Sequence, residues 1–362
     1  MRINLDDGIG AVRRLPGLRY LWLCSLATSV AGCLGPNGDP VPKVDAGPID
    51  AGDASTPQAA TWEQAFDTSE SGALFGVWGS APDDVFIVGG TDTQAEIYHY
   101  DGTGWSPMEA PDVAALIWLT GFGPNDVYAV GLGGAVVHYD GRRWDVLDSG
   151  VEDDLWGIFG FDDSELWIVG GDPADPDAAP VLLRYDGATF ERVAVDPGEN
   201  SRNARALFKI WGIDGALFAV GQRGQIFEHR SGRWRNSPGG ALADQDFVSL
   251  WGTSADNIVL VGGRSNARIA TYDGSRWTTR GESGLGGLNG VFMTSPDVAI
   301  VGGVEGFVGR YELADDRIVP ETQDVTTIDV HAVWGDGDGT FYAVAGEFAP
   351  PFGGAALVRR LQ

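Results

Sequence analysis

Residues 74–105 read LFGVWGSAPDDVFIVGGTDTQAEIYHYDGTGW, and their pattern decides the fold. Three short apolar segments stand in a row: Leu74 to Gly79, Asp84 to Gly89 and Ile97 to Gly102. A lone aromatic, Trp105, follows. β-Branched and aromatic residues fill the segments, while Pro, Asp, Thr and Gly separate them. That alternation predicts four strands, a to d, joined by tight turns.

The unit recurs. The aromatic that ends strand a returns at Trp78, Phe122, Phe159, Trp211, Trp251, Phe292 and Trp334. The intervals are 44, 37, 52, 40, 41 and 42 residues, a mean of about 43. A period in this range, with four short strands per unit, predicts an all-β, seven-bladed β-propeller of four-stranded antiparallel blades. Strand b is the clearest copy: VFIVG, VYAVG, LWIVG, LFAVG, IVLVG, VAIVG and FYAVAG. Its continuous apolar character implies burial on both faces, as between two neighbouring blades.

The third position of strand a is read as Gly76, Thr120, Gly157, Ser249, Gly290 and Ala332, with Lys209 the one charged exception. Small residues suit a place where blades converge on an axis. The strand-d aromatic returns at Trp144, Phe190, Trp234 and Trp277. The last unit stops at strand c, residues 356–360, while a spare Trp62 precedes the first strand a. Residues 61–66 are therefore expected to complete the last blade, which closes the ring and removes a sheet edge.

Val88-Gly89-Gly90 followed by Tyr-Asp and Trp resembles the kelch repeat over about 300 residues. The second Gly is present in copies one, three, five and six, and Leu132, Gln222 and Glu347 replace it elsewhere. The Trp-Gly ending of strand a and the Asp-Val opening of strand b resemble secreted bacterial propellers. Tyr-Asp-Gly-x-x-Trp is similar to the Asp-box of sialidase-type propellers, without its Ser-x-Asp-x-Gly order.

Ahead of the repeats, Arg13, Arg14 and Arg19 precede an apolar run from Tyr20 to Ala31. About a dozen residues suit a signal-peptide core and fall short of a membrane span. Val30-Ala31-Gly32-Cys33 resembles the lipobox of bacterial lipoproteins. The resemblance implies cleavage after residue 32, lipidation of Cys33, and, with Leu34 rather than Asp next, delivery to the outer membrane. Residues 33–60 carry the lipid Cys and a Gly/Pro/Asp/Ala tether with almost nothing to bury. Residues 61–362 form the propeller. Cys24 leaves with the peptide, so no free thiol would remain for a disulfide, a metal or a nucleophile.

Charge excludes some functions. With 24 Lys plus Arg against 51 Asp plus Glu, the net charge is −27, and removal of residues 1–32 takes it to −29. Phosphate-backbone binding needs clustered cations, so nucleic acid is excluded as a partner of the bulk surface. Membrane contact is expected through the lipid anchor only.

Candidate chemistry is sparse. His99, His138 and His229 fall at one equivalent strand-c position, spread around a ring rather than converging on a metal. Lys209, near a narrow axis, is a candidate to hold an anionic group or to act as an acid or base. His331 and Asn289, at the second strand-a position, are its companions, and His331 is placed to line the channel. Asp172-Pro173-Ala174-Asp175-Pro176-Asp177 and Asp336-Gly337-Asp338-Gly339 offer clustered oxygens, but turn chemistry accounts for both. Gly131-Leu132-Gly133-Gly134 follows a strand without a helix behind it, so it is no phosphate loop. Neither a Gly-x-Ser-x-Gly elbow nor HExxH is present. The long d–a connections 193–206, with Arg202 and Arg205, and 236–246, together with loop 172–180, concentrate elaboration on blades three to five.

These residues point to a monomeric, non-enzymatic binding or assembly scaffold at the outer membrane, periplasmic or surface-facing, with an envelope protein or glycan as ligand. No cofactor and no metal is expected. A sialidase- or lyase-like glycan-processing enzyme is the alternative, and an Arg cluster at the channel mouth would favour it.

Overall fold

A computed structural model describes residues 61–195, 204–237, 245–321, 325–337 and 339–360. Residues 1–60, where the sequence leads one to expect a signal segment, a lipidated Cys33 and a tether, lie outside the described residues. Among those described, twenty-eight strands make seven four-stranded sheets. Strands a, b, c and d hydrogen-bond in order and antiparallel within each blade. The seven-bladed β-propeller follows directly from the sevenfold repeat.

The last blade closes as the spare Trp predicts. Its sheet is Trp62–Gln64 beside Gly354–Arg359, Phe341–Gly346 and Val330–Gly335. Trp62 pairs antiparallel with Arg359 and is 3% exposed. Its indole N–H donates to Glu321, 3.2 Å away. The same carboxylate, itself buried, also holds Arg310 and Arg359. The N-terminal strand is thus pinned by a charged cluster as well as by its backbone ladder.

Strand b packs on both faces. In blade one, Val85, Phe86, Ile87 and Val88 are fully buried. Between blades, the Trp-Gly ending of strand a acts as a lock. The ring of Trp78 lies over Gly121 of the next blade, Trp211 over Gly252, and Trp334 over Gly79. Phe159 and Phe292 do the same to Gly212 and Gly335. Each of these five aromatics fills the space that a Cβ on the facing glycine would take.

Blade two corrects one assignment. Trp118 faces Val130 and Thr120 faces Tyr128, just as Gly76 faces Val88 and Trp78 faces Phe86. The third-position residue is therefore Trp118, not Thr120, and the fifth is Thr120, not Phe122. Gly121-Phe122-Gly123 offers two registers two residues apart. A strand repeats its facing every two residues, so pattern alone cannot separate them.

Alternate blades differ at the b–c loop. In blades one and three, Gly90 and Gly171 adopt φ of +128° and +126°, which only glycine adopts readily. Blades two, four and six turn instead through Gly133, Arg223 and Glu305 at φ 64°, 58° and 58°. The backbone N–H of each donates to an Asp just ahead of strand a in the next blade: Asp154, Asp246 and Asp329. The missing second Gly at Leu132 and Gln222 marks this second loop type. These latches fix the face on which the candidate site opens.

Candidate functional site

The inner strand of every blade carries the same irregularity. Pairing shifts between Leu74 and Gly76, Leu116 and Trp118, Leu155 and Gly157, and Leu207 and Lys209. It also shifts between Phe247 and Ser249, Leu288 and Gly290, and Val330 and Ala332. A bulge of this kind frees one residue from the ladder and re-aims its side chain. The freed residue is the second of strand a, and all seven such residues line one cavity at the axis.

The cavity holds about 140 Å³ and opens on the b–c and d–a loop face. Phe75, Ile117, Trp156 and Phe208 make an apolar arc, and Val248, Asn289 and His331 complete the wall. Phe348, from the b–c loop of the last blade, leans over the mouth and stacks on Phe75 with centroids 4.4 Å apart. The Trp156 indole N–H is occupied by the Gly171 carbonyl at 2.8 Å, so that ring presents apolar surface. Asp246 and Arg264 stand at the rim, joined at 2.6 Å. Asp329 stands there too, accepting the Glu305 N–H.

Two third-position residues reach this cavity, Trp118 and Lys209. Both also line a second cavity of about 80 Å³ farther along the axis. They therefore form the partition between the two. Lys209 is 6% exposed, and its ammonium sits 2.7 Å from the centre of the Trp118 ring. Among the described residues it makes no hydrogen bond or ion pair. Burial alone pushes the Lys209 ammonium well below the usual lysine range, because the charged form loses its hydration. The Trp118 face is its one compensation, a cation–π contact.

His331 is held by its neighbours. Its Nε2–H donates to the Gly346 carbonyl at 2.8 Å, which assigns the proton to that nitrogen in the neutral ring. Phe75 and Phe348 flank it at 5.1 and 4.9 Å. Burial lowers its affinity for a second proton; the Gly346 bond and Asp329 oppose this, and Lys209 adds to it. Burial likewise pushes the nearby Glu347 carboxyl up, with Asp329 adding to it.

The structure brings Lys209 and His331 to one cavity and leaves Arg205 outside it. The Arg205 backbone N–H instead caps Gln222 at 2.9 Å. Arg202 lies outside the described residues, as do most of the two long d–a connections. The acidic loop 172–180 is explained by turns: the Asp172 carboxylate accepts the N–H groups of Ala174 and Asp175. No group of three or more metal-ligating side chains occurs among the described residues. Asp338 lies outside them.

His99 and His138 each place Nε2 2.7 Å from the Asp that opens their own strand b, Asp84 and Asp126. Their rings stack on Phe86 and Tyr128. Arg184 repeats the contact with Glu165 in blade three. These are blade-internal ties.

The sequence left Trp118, Trp156, Phe75 and Phe208 out of the site. Their shared signal was positional: each stands one or two residues into strand a, where the repeat varies most.

Comparison with protein-family models and with curated proteins finds no match. Solved structures do match. YCF48 bound to a D1 peptide superposes with a TM-score of 0.61 at 13% identity, over 84% of this chain and 98% of that one. Virginiamycin B lyase from Staphylococcus aureus gives 0.64 at 14%, over 83% and 99%. The WD40 propeller of Doa1 gives 0.62 at 8%, over 84% and 98%. At such identities the likeness is one of fold.

Proposed function

We propose that this chain is a lipid-anchored binding scaffold of the outer membrane, with Cys33 acylated and the axial cavity receiving part of an envelope protein or glycan. The observation that carries the reading is the cavity itself. Seven independent bulges turn seven side chains into one walled cup, and loops from several blades set its rim. A cup built that way selects a shape. Fold alone does not choose a function, and neighbours such as the peptide-bound YCF48 lend this reading only the precedent of their architecture.

The tether of residues 34–60 supports the same reading, since it gives the propeller reach from a bilayer. The kelch-like and lipobox resemblances belong to it as well. The glycan-processing alternative gains little from the cup. Among the described residues Arg264 is the one arginine lining it, and Asp246 already engages that side chain.

The test is in-cell cross-linking of the tagged full chain, followed by membrane fractionation and mass spectrometry. A single enriched envelope partner, cross-linked near the cup and lost on Cys33→Ser, is the expected result. Recovery of the chain in the soluble fraction with Cys33 intact would overturn the anchor. Turnover of a glycan by the purified chain would overturn the scaffold.

A further inference from the structure

We infer that the axial cup takes a carboxylate borne on a compact apolar group, with the carboxylate paired to Lys209 at the floor. The inference rests on the binding reading above and specifies the chemistry of the occupant.

Three observations carry it. The first is size. An apolar cavity of about 150 Å³ takes up benzene, and this one holds about 140 Å³. One aromatic ring or branched alkyl group fits. The second is the wall, where Phe75, Trp156 and Phe208 offer rings and no free donor toward a polar body. The third is the floor. Lys209 is a buried amine that faces the cavity, and its charged form has no counter-ion among the described residues. Buried charges in proteins are paired as a rule. An incoming carboxylate supplies the missing partner through a charge-assisted hydrogen bond.

The other charges do not compete for this role. Arg264 is committed to Asp246, and His331 already gives its Nε2 proton to Gly346. The strongly acidic surface does not forbid an anion at the floor. At physiological salt, exposed charges are screened beyond about 8 Å, whereas a buried pair is screened far less. A cationic ligand would meet the aromatic rings but would also meet Lys209 head-on.

Titration calorimetry on the full chain separates these cases, with benzoate, phenylacetate and 3-phenylpropanoate as probes. Benzamide and benzylamine serve as neutral and cationic counterparts. The expected result is that one or more acids bind and that benzamide binds about tenfold or more weaker, the worth of one charge-assisted bond. Lys209→Met should remove the preference for the acid while keeping benzamide binding, which shows that the cup still stands. Equal affinity for acid and amide, preference for benzylamine, survival of the acid preference in Lys209→Met, or no binding by any probe would each overturn the inference.

A short peptide ending in Phe, with a free or an amidated terminus, identifies the source. Binding of the free-acid peptide alone assigns a chain-terminal carboxylate. Binding of small acids but neither peptide assigns a free organic acid. A cross-linked partner whose capture survives Lys209→Met would sink this inference and spare the scaffold reading. Acid binding without any captured partner would do the reverse.

Discussion

Trp334 of the last blade lies across Gly79 of the first, so close that a Cβ on Gly79 would stand 2.7 Å from the indole Cη2. The contact crosses the point where the ring closes. It repeats the lock between Trp78 and Gly121. Closure is therefore made twice over, once by this inner lock and once by the outer strand that Trp62 begins.

The inner lock makes a direct prediction. Gly121→Ala would put a methyl group 2.5 Å from the Trp78 ring. Overpacking of this kind costs about 1–3 kcal/mol. Gly123→Ala, two residues on in the same strand, meets nothing within 4 Å and should be neutral within about 0.5 kcal/mol. Denaturant unfolding of both variants checks the pair. Equal stabilities would mean that the Trp-Gly dipeptide does not lock blades.

The outer closure can be tested separately. Trp62 packs among Ile300, Val308, Val333 and Leu357 and holds Glu321. Trp62→Ala should cost about 3–5 kcal/mol, as for other buried aromatics. It should also lower the denaturant midpoint without a second transition, because the strand belongs to the propeller's own cooperative unit. A stability unchanged by the substitution would mean that the propeller closes without it.

How much of this was legible follows from what a repeat encodes. Strand b is read by every neighbour and must be apolar, so its seven copies announce blade number and order. The closing strand was legible because Trp62 stood without a blade. The cup was less so. Lys209 stood out as a charge among small residues, and His331 as a lone histidine on an inner strand. Its partner Trp118 was hidden by the two possible registers of Gly121-Phe122-Gly123. Nor did the pattern show the bulge that turns Phe75 and Trp156 inward, since a bulge is a property of pairing rather than of composition.

Acid should loosen the c–d turns. Asp101, Asp140, Asp186 and Asp273 each accept two backbone N–H groups of their own turn. Asp101 is pulled down to about 2 by the Thr103 hydroxyl and then the backbone N–H bonds, and Asp273 to about 2 by the Ser275 hydroxyl and the same kind of bonds. Asp140 and Asp186 are lowered chiefly by backbone bonds from Arg143 and Thr189. A carboxylate with a depressed folded-state pKa stabilises above its ordinary pKa, and that contribution is lost as pH falls. The window therefore runs from about pH 4 down to about pH 2. A quadruple Asp→Asn variant keeps the acceptor oxygens but cannot titrate. Its melting temperature should fall less steeply across that window than the wild type's, and parallel slopes would remove these turns from the account of acid unfolding.

Lys209 carries the opposite sign and the last prediction. Its proton affinity falls on folding, because burial penalises the ammonium. The unfolded chain therefore binds the proton more tightly, and stability rises with pH between the folded and unfolded values. Above about pH 10.4 the lysine is neutral in both states and costs nothing on this count. Below its folded-state value the full penalty applies. Every tenfold of proton affinity lost on folding costs about 1.4 kcal/mol. Lys209→Met, similar in volume and without the charge, should therefore raise the melting temperature at pH 7 by about 2 °C or more. The advantage should shrink steadily as pH is raised toward 10. An added carboxylate that pairs with Lys209 should narrow the same gap at pH 7 by stabilising the wild type more than the variant. A lower melting temperature for Lys209→Met without any ligand would mean that the Trp118 contact outweighs the desolvation, and that the cup is already satisfied as it stands.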